Sequence, residues 1–364
     1  MSNAINETPD PAAEAKDQAA AGQGENALEL KEVEGLSQGR IVLRRFVRHR
    51  GAIVATAVMA ALLLLVTTSI GWGPIPGWWQ HDFRSMLPIE RPGGAPTMGF
   101  YDGSFQFGNH PFGQTNVGRD VFAMVMRGTQ VSLTVMVTIG LLATVIGTLM
   151  GTLSGFFGKW VDNVIMRFTD MVITIPVIMI GAVLGRLVGG ANPLTLAIAL
   201  SFVTWTTMAR LVRAQFLALR ELEFVDAARV AGASNSRIMF KHILPNAVGV
   251  MIVNATLLMA SAILLETALS FLGFGIVAPE VSLGQIINEY QSAFQTRPWL
   301  FWWPGLFIVT IALCVNFIGD GLRDAFDPRQ RRIPTARALV KANAKAEARK
   351  AKTAAHGATP TGAV

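Results

Sequence analysis

GTQVSLTVMVTIGLLATVIGTLMGTLSGFFG, residues 128–158, runs from end to end without an Asp, Glu, Lys or Arg. A helix needs about 20 such residues to cross a bilayer, so this stretch places the chain in a membrane. Gly147, Gly151 and Gly155 recur in it at four-residue steps, with Gly140, Thr144 and Thr148 close to the same face. A face without large side chains lets another helix approach closely. It serves either tight packing inside one subunit or the wall of a pathway.

Four more runs lack charge altogether: residues 51–81, 187–209, 242–265 and 298–319. The whole chain agrees, with 51% hydrophobic residues, 15% charged ones and a mean hydropathy of +0.43, where soluble proteins carry roughly 25% charge. Six transmembrane spans are expected, at about 51–70, 129–157, 164–188, 193–214, 247–270 and 301–321. The third carries Arg167, Asp170 and Arg186 near its ends and Pro176 inside. The first apolar run starts only at Gly51 and exceeds the apolar core of a signal peptide, about 7–15 residues, so it is expected to remain as an anchor.

Orientation follows from the basic residues in the connections. Segments 40–50, 158–167, 209–242 and 323–337 hold 18 Lys and Arg, and segments 71–128, 185–193 and 273–299 hold six. Both termini are therefore expected in the cytoplasm. Residues 1–39, with eight acids and two lysines, read as a disordered acidic tail, and 330–364 as a basic one. Between them, 40–70 form an interfacial helix and the first span, and 71–128 an external loop region that opens on Trp72, Trp78 and Trp79. Residues 129–329 form a five-helix core. Inside it the loop 217–245, LALRELEFVDAARVAGASNSRIMFKHILP, reads as a short helix ending near Gly232. A second short helix follows, capped by Ser234, and Pro245 precedes the next span.

Chemistry is scarce. No G-x-x-x-x-G-K-[ST] loop can hold a nucleotide, the five histidines show no metal-ligand spacing, and Ser270 lacks the first glycine of a nucleophile elbow. Cys314 is single and sits in the last apolar run, which excludes an intramolecular disulfide. The net charge of +7 sits at the ends of apolar runs, not on a soluble basic face, so nucleic acid is not an expected partner. Charges inside spans are functional candidates by default. Asp170 stands three residues after Arg167, a spacing that lets the two pair on one face. Glu266 has apolar residues on both sides and is either a buried polar partner or part of a pathway lining.

The loop also carries a resemblance. Asp226, Ala227, Ala228, Gly232, Leu244 and Pro245 fall in register with the E-A-A, three residues, Gly, nine residues, I-x-L-P pattern of permease subunits of ATP-binding-cassette importers. Asp226 replaces the Glu and His242 the Ile, and His-Ile-Leu-Pro-Asn looks like the peptide branch of that family. Residues 110–120, HPFGQTNVGRD, resemble the segment before the second span in the C-type subunit of the dipeptide, oligopeptide and nickel transporters, with Gln114 and Thr115 departing from it. Further similar stretches are 158–162, 209–213, 266–275, 298–299, 304–305 and 316–328.

The resemblance implies an all-α, six-span type I importer permease fold with an external subdomain between the first two spans. It implies a heterodimer with a homologous permease, two ATPase subunits and an extracytoplasmic binding protein, with ATP and Mg held by the ATPases and no cofactor on this chain. Glu223, Phe224, Val225, Asp226, Ala227, Ala228, Arg229, Gly232, Ala233, Leu244 and Pro245 would form the ATPase-coupling loop. Peptides are the expected cargo, with nickel chelates or another small solute as the alternative. A secondary transporter is the rival from another class, and it would need charged midplane sites or inverted repeats that the chain does not display.

Overall fold

In the computed structural model, residues 38–326 are described, apart from Asp102, Gly190 and Ala191. The two tails lie outside the described residues, except that Gln38 and Gly39 open the first helix. That helix, α1 (Gln38–Phe46), precedes α2 (Arg50–Ser69), whose first turn is capped by His49 Nδ1 accepting from the Ala52 amide at 3.0 Å.

Residues 71–106 include two antiparallel hairpins, β1 (Gly71–Trp72) with β2 (Ile75–Pro76) and β3 (Gly99–Tyr101) with β4 (Ser104–Gln106). The long helix α3 (Val121–Phe157) follows. It starts eight residues before the expected 129, because Asp120 caps it by accepting from the Ala123 amide at 2.8 Å. The helix therefore includes Arg127, a charge that the apolar run alone excludes.

Next come α4 (Lys159–Thr174), α5 (Val177–Val188), α6 (Pro193–Thr204) and α7 (Thr206–Leu219). They form two bent pairs: α4 and α5 meet at 85°, α6 and α7 at 44°. α2, α3, α9 (Asn235–Phe271) and α11 (Trp299–Phe326) are each long and apolar enough to cross alone, and counting each bent pair as one span gives six.

The loop between α7 and α9 contains α8 (Glu223–Val230). The second short helix expected after Ser234 is not separate. It runs into the fifth span as one helix, α9, through a π turn over Ile238–Ile243. A proline inside a helix removes one amide and crowds the carbonyl four residues back. The wider π turn makes room for Pro245 by bonding the Leu244 amide to Met239 O, and Asn246 Nδ2 covers His242 O at 2.7 Å.

α3 is the axis of the bundle, packed along α6, α7 and α9, while α11 packs along α9 and α2. In lipid, helix association draws on close packing and hydrogen bonds and not on a hydrophobic drive. The glycine stripe supplies that packing. A Cβ on Gly147 would stand 2.6 Å from Met208 Cβ, one on Gly151 2.7 Å from Val212 Cβ, and one on Gly155 2.6 Å from Phe216 Cβ. The α3 backbone thus touches α7 directly. Toward the hairpins, α10 (Leu283–Tyr290), held by a Ser282–Gln285 capping box, covers a core in which Phe112 stacks on Trp303 at 3.8 Å.

Candidate functional site

The α8 loop is built from its own residues. Val225 is fully buried and joins Met208, Val212, Phe216, Ile238 and Ile243 in one apolar cluster. The opposite face is open. Val230 is 91% exposed, Phe224 is exposed too, and Asp226 accepts from Arg229 Nη1 at 2.9 Å on the surface. Glu223 and Asp226 sit in the first turn and Arg229 in the last, each matched to the helix dipole.

The stop is a Schellman motif. The Ala233 amide donates to Ala228 O at 3.0 Å and the Gly232 amide to Arg229 O at 2.9 Å, with Gly232 at φ +76°. No atom lies within 4 Å of a Cβ built on Gly232, so backbone conformation alone asks for glycine there. Ala227 completes the helix, and Leu244 and Pro245 lie beyond the π turn in α9.

Charged side chains that the sequence left unmatched tie the spans together where this loop leaves them. Asp162 on α4 receives Arg213 of α7 through both Nε and Nη2, each at 2.5 Å, and also accepts from Ser154 of α3. Arg220 donates to Gly155 O at 3.0 Å, covering a carbonyl in the last turn of α3, where the helix has no amides left to bond. Three helices therefore converge where the chain leaves for α8. The stretches 158–162 and 209–213 were both singled out by resemblance; an acid at the end of one and an arginine at the end of the other was the available signal.

The Arg167–Asp170 pair expected from spacing is not formed. Asp170 is bound instead by Arg210 of α7 at 2.5 Å, because α4 packs against α7 and brings a guanidinium from another helix to the carboxylate. Glu266 is fully buried where α9 meets α3, accepting from Ser132 Oγ at 2.8 Å and Ser270 Oγ at 2.7 Å. Of the two readings left open for it, the geometry is that of a buried polar partner. The structure brings Gly147, Gly151 and Gly155 onto α7 and leaves Glu266 and the α8 loop as separate places.

At the other end of α3 stands a network without any expectation behind it. Asp120 is buried and accepts from Trp79 Nε1 at 2.9 Å, while its second oxygen lies 2.8 Å from His110 Nδ1. Trp79, expected in an interface belt, is partly buried against the core of this end. Gln114 bridges the loop strand, donating to Pro88 O at 3.0 Å and accepting from the Glu90 amide at 2.8 Å. Among the described residues no cluster of His, Cys, Asp and Glu could hold a metal ion.

Residues 121–332 match the family described as binding-protein-dependent transport system inner membrane component. The chain belongs to that family. The permease is also 36% identical over 299 residues to the oligopeptide transport system permease protein OppC of Mycobacterium tuberculosis, covering 82% of this chain and 97% of that one. Against OppC of Escherichia coli it is 38% identical over 307 residues, 84% and 96% of the two chains. The inward-facing methionine transporter MetNI aligns over 56% of this permease and 97% of that chain, with 20% identity and a TM-score of 0.47. The family match, together with the long apolar helices, makes this chain a multi-pass membrane component of an importer that works with ATPase and other subunits.

Proposed function

We propose that this chain is one permease half of an ATP-driven peptide importer in the cell membrane. It forms the translocation pathway with a homologous permease, takes cargo from an extracytoplasmic binding protein, and is driven by two ATPase subunits that hold ATP and Mg. The chain itself carries no cofactor and no catalytic residue. Both termini and α8 face the cytoplasm and the hairpins face outward. The 18 to six partition of basic residues supports that orientation, and relatives named oligopeptide permeases over nearly their whole length support the cargo class.

The observation that carries the reading is α8, an eight-residue helix fastened through Val225 with Phe224 and Val230 turned out to solvent. An exposed apolar face beside charged residues fits a docking surface, here for the ATPase subunits. Motion of α8 passes to the spans through the packing of Val225 on Met208, Val212 and Phe216 and the Arg220 contact with Gly155 O, as a rigid-body shift. Val230→Asp tests this. The variant should assemble with its partner permease but retain the ATPase subunits poorly on co-purification, with import reduced at least tenfold. Wild-type retention and import would remove α8 as the docking element.

A further inference from the structure

The outer side of α1 carries basic and apolar residues together. Five arginines stand between residues 40 and 50. Arg40, Arg44 and Arg48 recur at four-residue steps and so share a face, and all three are exposed. Leu43 and Val47 are exposed as well, 62% and 55% open. The winding carries on past Phe46, because the Val47 amide donates to Leu43 O, the Arg48 amide to Arg45 O and the His49 amide to Phe46 O, each at 3.0 Å. Leu43 and Val47 therefore lie beside the arginine row on one outward strip. No carboxylate among the described residues pairs with Arg40, Arg44 or Arg48.

The inner side of α1 fixes its depth. Val42 and Phe46 are half-buried, and α1 packs along α11. A Cβ on Gly321 of α11 would stand 3.1 Å from Phe46 Cε2 and would collide with Ala52 in the first turn of α2. Phe326, the last residue of α11, lies against α9, where a Cβ on Gly249 would stand 2.8 Å from its ring. Ala52 and Gly249 stand at the starts of charge-poor spans and Gly321 at the end of one. His49 Nε2, 3.5 Å from Asp324 Oδ2, adds a polar tie between the α1–α2 turn and α11. α1 is thus fastened at the level where the spans end, and there hydrocarbon gives way to headgroups.

We propose that α1 is a binding surface for anionic phospholipid in the leaflet beside it. An amphipathic helix in the interface sinks its apolar side chains toward the acyl region and keeps its basic ones among the headgroups. Arginine suits that place because its fork can take two phosphate oxygens at once. Each basic residue near an anionic leaflet strengthens attachment roughly fivefold. Topology alone asks for basic residues on the inner side of a span. It does not ask for Leu43 and Val47 to stand open beside an arginine row at membrane level. Since Phe46 and His49 join this surface to α2 and α11, lipid held there braces the ends of both spans. The proposal takes from the reading above only which leaflet is met in the cell, the cytoplasmic one.

The test uses the complete transporter in nanodiscs of phosphatidylcholine, with or without a third of phosphatidylglycerol. Gly39→Cys, in a background with Cys314→Ala, carries a bimane label, and a Cβ there meets no atom within 4 Å. Both mixtures contain phosphatidylcholine with a nitroxide on its headgroup. Quenching should be at least twofold stronger with phosphatidylglycerol. Arg40→Gln, Arg44→Gln and Arg48→Gln together should remove that difference, and Leu43→Ser with Val47→Ser should at least halve quenching in the anionic mixture. The thermal midpoint of the transporter should rise with phosphatidylglycerol in the wild type and stay level in the triple Gln variant. Equal quenching in the two mixtures, or a difference that survives the triple variant, would overturn the proposal. Weak quenching in both would show the strip covered by an ATPase subunit or by the chain's own acidic tail, and would equally overturn it. Nanodiscs offer the lipid in both leaflets, so this outcome does not depend on orientation. Labelling of Gly39→Cys on intact cells by an impermeant thiol reagent checks the cytoplasmic placement separately.

Discussion

The two ends of α3 are held by the same kinds of groups in opposite surroundings. At the hairpin end, Asp120, His110 and Gln114 are all within 4% of complete burial, and their partners come from residues 79–90 and from the helix start. Gln130 adds bonds to Val66 O and Gly71 O at 2.9 and 2.8 Å, pinning α3 to the end of α2. At the α8 end the Asp162–Arg213 pair keeps 16% and 32% of its side-chain surface, and Asp226–Arg229 keeps 66% and 50%. Buried hydrogen-bonded groups are costly to separate, while exposed ion pairs contribute about 0–1 kcal/mol. One end is built as a single block, and the other can shift without exposing a buried charge. The part proposed to follow the ATPase cycle lies at the second end.

Asp120→Ala should have the largest effect. It removes the cap of α3, about 1 kcal/mol, and strands the Trp79 indole and the His110 ring in a buried site, on the order of 1–3 kcal/mol more. The variant is expected to lose most of its folded yield in the membrane, with a thermal midpoint well below the wild type. A stable, fully active variant would show that the hairpin end is not the rigid one.

Glu266 lies between the ends and tests whether buried polarity as such matters. Glu266→Leu takes the carboxylate acceptor from the Ser132 and Ser270 hydroxyls, and both sit in helices where they can turn to the carbonyl four residues back, as Thr129 does toward Val125 O at 2.7 Å. A loss of about 1 kcal/mol is expected from the hydrogen bonds exchanged. Glu266→Gln keeps an acceptor and should cost less. Melting curves of both variants in the same detergent decide it, and equal stability of Leu and wild type would make the residue incidental.

At the α8 end, Asp162→Arg and Arg213→Asp should each weaken coupling of ATP hydrolysis to import, while the double reversal recovers much of it. Residues in direct contact show interaction energies of about 0.5–3 kcal/mol in such cycles, and this pair belongs in the lower half because part of it meets solvent. Additive losses would mean that the two side chains act separately.

These features were unequally visible in the sequence. Spans announce themselves because thirty residues without charge have few other uses, and the α8 stop was legible at Gly232 because a left-handed residue favours glycine. The break between α4 and α5 had a warning in Pro176. The break at Trp205 had none, since its cause is an indole donating to Phe202 O and not a proline or glycine. Pro245 misled in the other direction: a π turn absorbed it, and no local pattern foretells that. Partner choice was the blindest point. Spacing pairs Asp170 with Arg167 inside one helix, but the nearer cation belongs to α7, forty residues on. The Asp120 network draws on residues 79, 110 and 120, and only the folded loop brings them together.

Gly232 offers the smallest and most local test of the contrast between the two ends. Its φ of +76° lies where residues with a Cβ pay roughly 1–2 kcal/mol, and a Cβ there would meet no other atom of this chain within 4 Å. The substitution series therefore isolates backbone conformation from packing. Gly232→Asn should be tolerated best, because asparagine visits this conformation at low cost, Gly232→Ala should follow, and Gly232→Val, with its branched Cβ, should be worst. None should alter membrane insertion or pairing of the permeases, since the spans and the hairpin end do not touch this position. The expected readout is graded: ATPase retention and substrate-stimulated hydrolysis fall in the order Asn, Ala, Val, while the melting midpoint barely moves. The Schellman bonds from Gly232 and Ala233 hold the end of α8 in place, so loosening them should blur the proposed docking face without unfolding the bundle. If Val behaves like Gly in transport, the exact end of α8 does not matter to coupling. If Val prevents insertion, the loop end is as tightly built into the fold as the hairpin end, and the contrast between the two falls.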